Sequence, residues 1–285
     1  MRLASRDRSG FLEEQNFRWF RLRKRVRQFF THRSGMDKKV LFIVGCQRSG
    51  TSMIHHLFRL DWDTVTYDEM SPLSSIDPKH FRLDPLDQVH ERIMAQRSPL
   101  VVSKPLVESQ NLGEILDAFP EAKAIWMFRN FQDVARSNLK YFGSDTGHRD
   151  LAPILAGDTG NWRAQHVAES TLETLNDLYS PDMPPHDAAA LFWYARNRLF
   201  FTRGLADDPR VVLCRYEDLV TQPASVMSAG YEFVGRPYPG DRITADVFSH
   251  SKGKGRDLDL SPAVRSLCRE LLDRMEALPR LGHPA

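Results

Sequence analysis

The sequence predicts one α/β domain, a central parallel sheet flanked by helices. Five short apolar, β-branched runs lack the period-two alternation of a half-exposed sheet, and helical patterns separate them. The first run also passes through a glycine loop straight into a helical pattern, in "IVGCQRSGTS" (43–52). Strands that alternate with helices need right-handed crossovers and therefore lie parallel.

In chain order, "KVLFIVG" (39–45) is the first strand, and "SGTSMIHHLFRL" opens the helix behind its loop. "TVTY" (64–67), "LVVS" (100–103), "AIWMF" (124–128) and "RVVLCRY" (210–216) are the other strands. Helices are expected near 111–118, 130–142, 161–178, 187–206, 221–234 and 261–278. No repeat, low-complexity tract or linker divides the chain, so the expectation is a domain over 36–285 behind a basic amphipathic extension, 1–35.

At 285 residues and 41% hydrophobic content the chain can bury a large core. Cys46, Cys214 and Cys268 are an odd set without paired spacing, and no apolar run suits a signal peptide or a membrane span. A cytoplasmic location is the expectation. The net charge of +2 is uneven: residues 1–39 hold twelve Lys/Arg against four Asp/Glu, a net of +8, which leaves −6 for the rest. A mildly acidic body argues against a general nucleic-acid surface.

The basicity concentrates in "RWFRLRKRVRQFF" (18–30), where Trp19, Leu22, Val26 and Phe29/Phe30 share a helical face between cations. Three readings stay open: a helix packing its apolar stripe on the domain, a helix lying on an anionic membrane surface, or a mobile extension with Met36 as a second start.

In open α/β sheets ligands bind beyond the carboxyl ends of the strands, so the residues there are informative. They are the glycine loop, then Asp68 and Glu69, Lys104, Arg129, and Tyr216 with Glu217 and Asp218. Cations and donors at these ends suit a polyanion. In the loop, Gly45 and Gly50 permit a tight turn and close approach, while Ser49, Thr51 and Ser52 add hydroxyls to the backbone N–H groups of a helix start. The spacing nearly matches G-x-x-x-x-G-K-[ST], but Thr51 replaces the lysine and Arg48 lies inside the loop. A magnesium-dependent kinase would also need a carboxylate at a strand end. "AIWMF" and "LVVS" end instead in Arg129 and Lys104, leaving only Asp68/Glu69 and Glu217/Asp218, so no metal site is expected.

Together these segments resemble the sulfotransferases that use 3′-phosphoadenosine 5′-phosphosulfate (PAPS), whose fold is P-loop-like. "CQRSGTS" (46–52) is similar to the family's 5′-phosphosulfate loop, with Arg48 as its cation. "FRNFQDVARSNLKYF" (128–142) resembles the 3′-phosphate segment, which implies Arg129 and Ser137 as a clamp. "LCRYEDLVTQP" (213–223) resembles the segment whose tyrosine, here Tyr216, lies near the adenine, and "LFWYARNRLFF" (191–201) resembles the helix before it. "SKGKGR" (251–256) resembles more loosely the late loop that closes over the nucleotide, implying Lys252, Gly253 and Lys254.

The sequence departs from the family at Phe131, where a proline is common, at Met53, where some members place an aromatic, and at Leu106, where small-phenol members carry histidine. These departures point toward the carbohydrate- and lipid-directed or bacterial branches, in which a glutamate after the second strand can be the base. The resemblance thus implies PAPS as co-substrate, Arg48 stabilising the leaving phosphate, and Glu69 as general base with Asp68 in reserve. Lys104 is either a second cation at the sulfuryl group or the ion-pair partner of Glu69. Arg129 has a structural alternative in pairing with Asp133.

His55 and His56, adjacent on one helix without further ligand residues, read as core or surface histidines, and Cys46 as loop filling. The acceptor, a glycan, lipid or other small molecule, is expected between segments 70–98 and 143–185. A magnesium-dependent P-loop kinase and a non-catalytic nucleotide-binding scaffold are the alternatives.

Overall fold

The protein's computed structural model describes residues 19–20, 22–31, 37–75, 81–247, 253 and 258–283. Helix α1 (residues 22–31) precedes β1 (Lys39–Gly45), α2 (Thr51–Arg59), β2 (Thr64–Tyr67), α3 (Leu86–Met94) and β3 (Leu100–Ser103). Then come α4 (Leu112–Ala118), β4 (Lys123–Phe128), α5 (Phe131–Phe142), α6 (Thr146–Leu155), α7 (Glu169–Leu178) and α8 (Pro185–Thr202). The chain continues through β5 (Val211–Arg215), α9 (Tyr216–Thr221), α10 (Pro223–Val234) and α11 (Pro262–Glu276). All pairings are parallel, in the order β2-β3-β1-β4-β5. This is a single α/β domain with a five-stranded sheet flanked by helices.

The runs of the three central strands β3, β1 and β4 are buried on both faces, while the edge strands β2 and β5 are partly half-buried. Val40, Phe42 and Val44 of β1 join Trp126 and Phe128 under α4, α5, α6 and α8. Leu41 and Ile43 join Val102, Ile125 and Met127 against α2 and α10. Alternate residues therefore feed two separate cores, which is why the strands read as continuous apolar sequence.

Helix α8 organises the first core. Pro184 and Pro185 start it, and most of its length is buried, Trp193 and Phe192 included. The Trp193 indole Nε1 donates to the Arg129 carbonyl at 3.0 Å, and Trp126 Nε1 donates to Asn197 at 3.3 Å, so α8 fixes both the body and the end of β4.

Several expected helix boundaries need correction. The helix expected at 111–118 begins at Leu112, behind a 3₁₀ turn over Leu106–Asn111. The one expected at 161–178 begins only at Glu169, since Asn161 and Asp158 hold turns before it. Tyr216 does not end β5 but begins α9. Two helices, α3 and α6, fall in the segments 70–98 and 143–185 expected on the acceptor side, at positions where the sequence suggested no helix. In α6 the polar residues Thr146 and Asp150 are buried, and Gly147 lies where a Cβ would stand 2.4 Å from Ala189 N on α8. The close crossing therefore depends on glycine. Gly147→Ala should cost about 1–3 kcal/mol by overpacking, seen as a lower urea midpoint with the helical circular dichroism of the native state retained.

Helix α1 departs furthest from expectation. It packs on the domain, but by its polar face: Lys24 and Gln28 are buried, while Trp19, Leu22, Val26, Phe29 and Phe30 are exposed. The apolar-stripe packing is overturned because lysine and glutamine donors reach backbone carbonyls of the domain, Lys24 Nζ at Arg59 O (2.9 Å) and Gln28 Nε2 at Trp62 O (2.8 Å).

Candidate active site

The pairing of β1 with β3 and β4 gathers the strand ends that the sequence singled out. Gly45 closes β1 at φ 127°, and a Cβ there would meet the Met127 carbonyl oxygen at 2.2 Å, so only glycine fits the approach to β4. Its N–H donates to Ser109 Oγ at 3.0 Å, tying the loop to the 3₁₀ turn after β3. Gly50, at φ 93°, is the N-cap of α2, and a Cβ there would lie 2.4 Å from Tyr216 Cδ2. The Tyr216 ring thus packs directly on the loop.

Helix α2 has no side-chain cap and no acidic residue in its first turn, whereas α5 is capped by Asn130 Oδ1, which accepts from Gln132 N at 3.0 Å. Uncapped N–H groups at the positive end of a helix dipole are the ones suited to an anion.

Arg48 sits between these glycines with φ 63°, left-handed for a residue with a Cβ. That conformation costs about 1 kcal/mol or more. Its Nε donates to Ser137 Oγ on α5 at 3.0 Å, and its guanidinium lies 4.4 Å from the Tyr141 ring centroid. Arg129 follows β4, lies 4.2 Å over the Tyr216 ring, and has NH1 3.5 Å from the Arg48 carbonyl. Arg48, Arg129, Ser137, Tyr216 and the loop residues Ser49, Thr51 and Ser52 therefore share one end of the sheet. The Arg129–Asp133 pairing exists as well, at 3.4 Å, and Asp133 Oδ2 also accepts from Gly253 N at 2.7 Å. Of the late loop, Gly253 is so placed; Lys252 and Lys254 lie outside the described residues.

Across the loop, Lys104 Nζ lies 2.7 Å from Glu69 Oε1 and 3.5 Å from Ser52 Oγ. Lys104 is buried, whereas Glu69 is partly exposed and Asp68 exposed. Beside them a cavity of about 340 Å³ runs under α1, lined by Phe20, Lys24, His55, Tyr67, Asp68 and Met70. His55 is buried here and its pKa falls to about 4, through burial and then the nearby Lys104 and Arg59 charges, so it is neutral at neutral pH.

Glu217 and Asp218 are structural. Glu217 Oε1 accepts from Asn130 N at 3.0 Å at the start of α5, and Asp218 pairs with Arg280 at 2.8 Å. Among the described residues no group of three or more His, Cys, Asp or Glu side chains is arranged to hold a metal ion. Sequence reasoning missed Gln47, whose Nε2 donates to Asp150 Oδ2 at 3.0 Å and lies 3.3 Å from Asn138 Oδ1, anchoring the loop to α5 and α6. It also missed Ser109. Neither carries a signal that separates it from an ordinary polar loop residue.

The family model described as "Sulfotransferase domain" matches residues 38–255, well over half the chain, and spans every strand described above. The chain belongs to the sulfotransferase family. Solved structures similar to this sulfotransferase include the sulfotransferase domain from the Synechococcus PCC 7002 olefin synthase, at 16% identity and TM-score 0.48, covering 86% of this chain and 98% of that one. The sulfotransferase domain from the curacin biosynthetic pathway follows at 15% identity and TM-score 0.41, covering 85% and 91%. Sulfotransferase STF9 from Mycobacterium avium has 14% identity and TM-score 0.41, covering 86% and 70%. No curated protein matches the sequence.

The three thiols of this sulfotransferase are all buried. Burial pushes the Cys46 thiol up to about 12 and raises Cys214 and Cys268 as well. Native protein at pH 8 should therefore release no thiolate to a chromogenic disulfide, and unfolded protein should release three equivalents. Rapid reaction of Cys46 in the native state would contradict this burial.

Proposed function

We propose that this sulfotransferase transfers a sulfuryl group from PAPS to the hydroxyl of a small-molecule, glycan or lipid acceptor. The observation that carries the reading is the meeting of Arg48 with Ser137, 3.0 Å apart, because it joins the glycine loop to the segment behind Arg129. A donor with phosphate groups at both its 5′ and 3′ positions needs two anion-binding elements side by side, and this contact supplies them.

In this reading the open N–H groups of the loop and α2 hold the 5′-phosphosulfate, with Ser49, Thr51 and Ser52 adding hydroxyl donors. Arg129 and Ser137 hold the 3′-phosphate through a planar guanidinium fork and a hydroxyl. Arg129 then exchanges part of its pairing with Asp133 for the ligand. The Tyr216 ring, already stacked under Arg129, lies against the base, and Gly253, bonded to Asp133, lies beside the Arg129 clamp.

Chemistry follows from the same groups. The acceptor oxygen attacks sulfur in line as the bond from sulfur to the 5′-phosphate oxygen breaks, and Glu69 takes the acceptor proton. Negative charge grows on the leaving phosphate, where Arg48 and the α2 terminus lie. Lys104 bridges the two halves, since its ammonium touches both Glu69 and the Ser52 hydroxyl. A sulfuryl group carries less negative charge than a phosphoryl group, so side-chain cations and helix dipoles meet the demand without a metal. Tyr141, exposed beside Arg48 with Phe142 packed edge-on against it, offers an apolar wall to the acceptor.

Arg48→Ala and Arg129→Ala should each weaken calorimetric binding of 3′-phosphoadenosine 5′-phosphate by at least tenfold, about 1.4 kcal/mol or more for a lost charge-assisted contact. Unchanged affinity in both variants would remove the site assignment. Glu69→Gln should leave that affinity within a factor of about three and lower turnover by about 10²–10⁴, the span of general-base contributions. Radiolabelled PAPS incubated with cell extract, followed by separation into lipid, glycan and small-molecule fractions, identifies the acceptor. A Glu69→Gln variant as active as wild type on that acceptor would exclude its role as base.

A further inference from the structure

Helix α1 is docked the opposite way round from an ordinary surface helix. At about 100° per residue, Trp19, Leu22, Val26, Phe29 and Phe30 form one stripe, and Phe20, Lys24 and Gln28 form another on the far side. The second stripe is the buried one. Lys24 donates to Arg59 O at the carboxyl end of α2, where a cation also meets the helix dipole. Gln28 donates to Trp62 O, Phe20 packs edge-on against Trp62 at 4.8 Å between centroids, and Arg27 lies 3.7 Å from Asp63. Arg97 holds the other end, donating to Phe29 O at 3.1 Å. Polar bonds thus seat the helix firmly and turn its aromatic stripe to solvent.

The stripe is large and edged by charge. Phe30 is 80% exposed and Trp19 65% exposed. The exposed Arg23 and Arg25 fall on its two sides by helical spacing. A contiguous apolar face of this kind on a soluble surface marks a docking site. Aromatic side chains flanked on both edges by arginines match one environment in particular: apolar groups at the acyl boundary, with guanidinium groups at anionic headgroups. The ten described residues of α1, 22–31, at about 1.5 Å each cover about 15 Å against the roughly 30 Å that a bilayer-spanning helix needs. Among the described residues no helix is long and apolar enough to cross a membrane. A helix lying in the interface plane fits both facts.

We propose that the outward face of α1, Trp19, Leu22, Val26, Phe29 and Phe30 with Arg23 and Arg25, binds the surface of an anionic lipid bilayer. The inward face of the same helix contributes Phe20, Lys24 and Gln28 to the cavity that reaches Asp68 and Met70, the neighbours of Glu69. Bilayer binding therefore brings the acceptor side of the domain to the membrane surface. The proposal rests on helix orientation and does not depend on the donor.

The test uses the full chain with vesicles of phosphatidylcholine, and with vesicles of equal parts phosphatidylcholine and phosphatidylglycerol. Co-sedimentation is expected with the anionic vesicles, at least tenfold stronger than with the neutral ones, together with a blue shift of tryptophan emission that Trp19→Phe removes. Phe29→Ser/Phe30→Ser should reduce binding at least tenfold, and Arg23→Gln/Arg25→Gln should abolish the preference for phosphatidylglycerol. Both double variants should keep the wild-type melting temperature. Absence of wild-type binding, or equal binding by the serine variant, overturns the proposal. A dimeric mass by light scattering that falls to monomer in Phe29→Ser/Phe30→Ser overturns it in favour of a second copy as occupant. A large loss of melting temperature in that variant overturns it in favour of an intramolecular partner.

Discussion

The parallel pairing of β1 with β4, with Gly45 pressed against the Met127 carbonyl, is the constraint on which the site depends. Because the strands are in register from Leu41 to Gly45, the glycine loop and Arg129 emerge at the same height. A side chain at residue 45 would push the two strand ends apart, and the guanidinium of Arg129 would lose its place over Tyr216. Trp193 completes the arrangement from below by bonding the Arg129 carbonyl. Two arginines on two strand ends then stand close enough for the Arg48 carbonyl to face the Arg129 guanidinium. Positive charge and open N–H groups are concentrated there at the cost of a left-handed Arg48.

Much of this was legible because strands buried on both faces leave a plain signal. "KVLFIVG", "TVTY" and "LVVS" coincide with their strands, "AIWMF" misses one residue at its start, and "RVVLCRY" runs one residue too far at each end. Helices were read less well where burial depends on polar or small residues. In α6 the buried set includes Thr146, Gly147 and Asp150, so its composition resembles a loop while its packing does not. Asp150 is buried because Gln47 and Arg163 satisfy it, which is a tertiary fact.

The candidate site divides in the same way. Strand-end position exposed Arg48, Glu69, Lys104, Arg129 and Tyr216 as neighbours, since topology alone brings the carboxyl ends together. The pairing of Arg129 with Asp133, four residues on, was legible, but long-range partner choice was not: Asp133 also accepts from Gly253, and Ser109 braces Gly45, through spacings no local pattern encodes. Helix α1 shows the limit most clearly. Periodicity identifies the residues that share a face, but hydrogen bonds to two distant carbonyls, Arg59 O and Trp62 O, decide which face turns inward.

In the proposed function the site grips two separate anionic groups of one nucleotide. The most direct measurement is calorimetric titration of the full chain, in excess EDTA, with 3′-phosphoadenosine 5′-phosphate and with adenosine 5′-phosphate. Binding of the 3′-phosphorylated nucleotide at least tenfold tighter, about 1.4 kcal/mol, is the predicted result. Equal affinities, or binding that returns only when magnesium is restored, would contradict it.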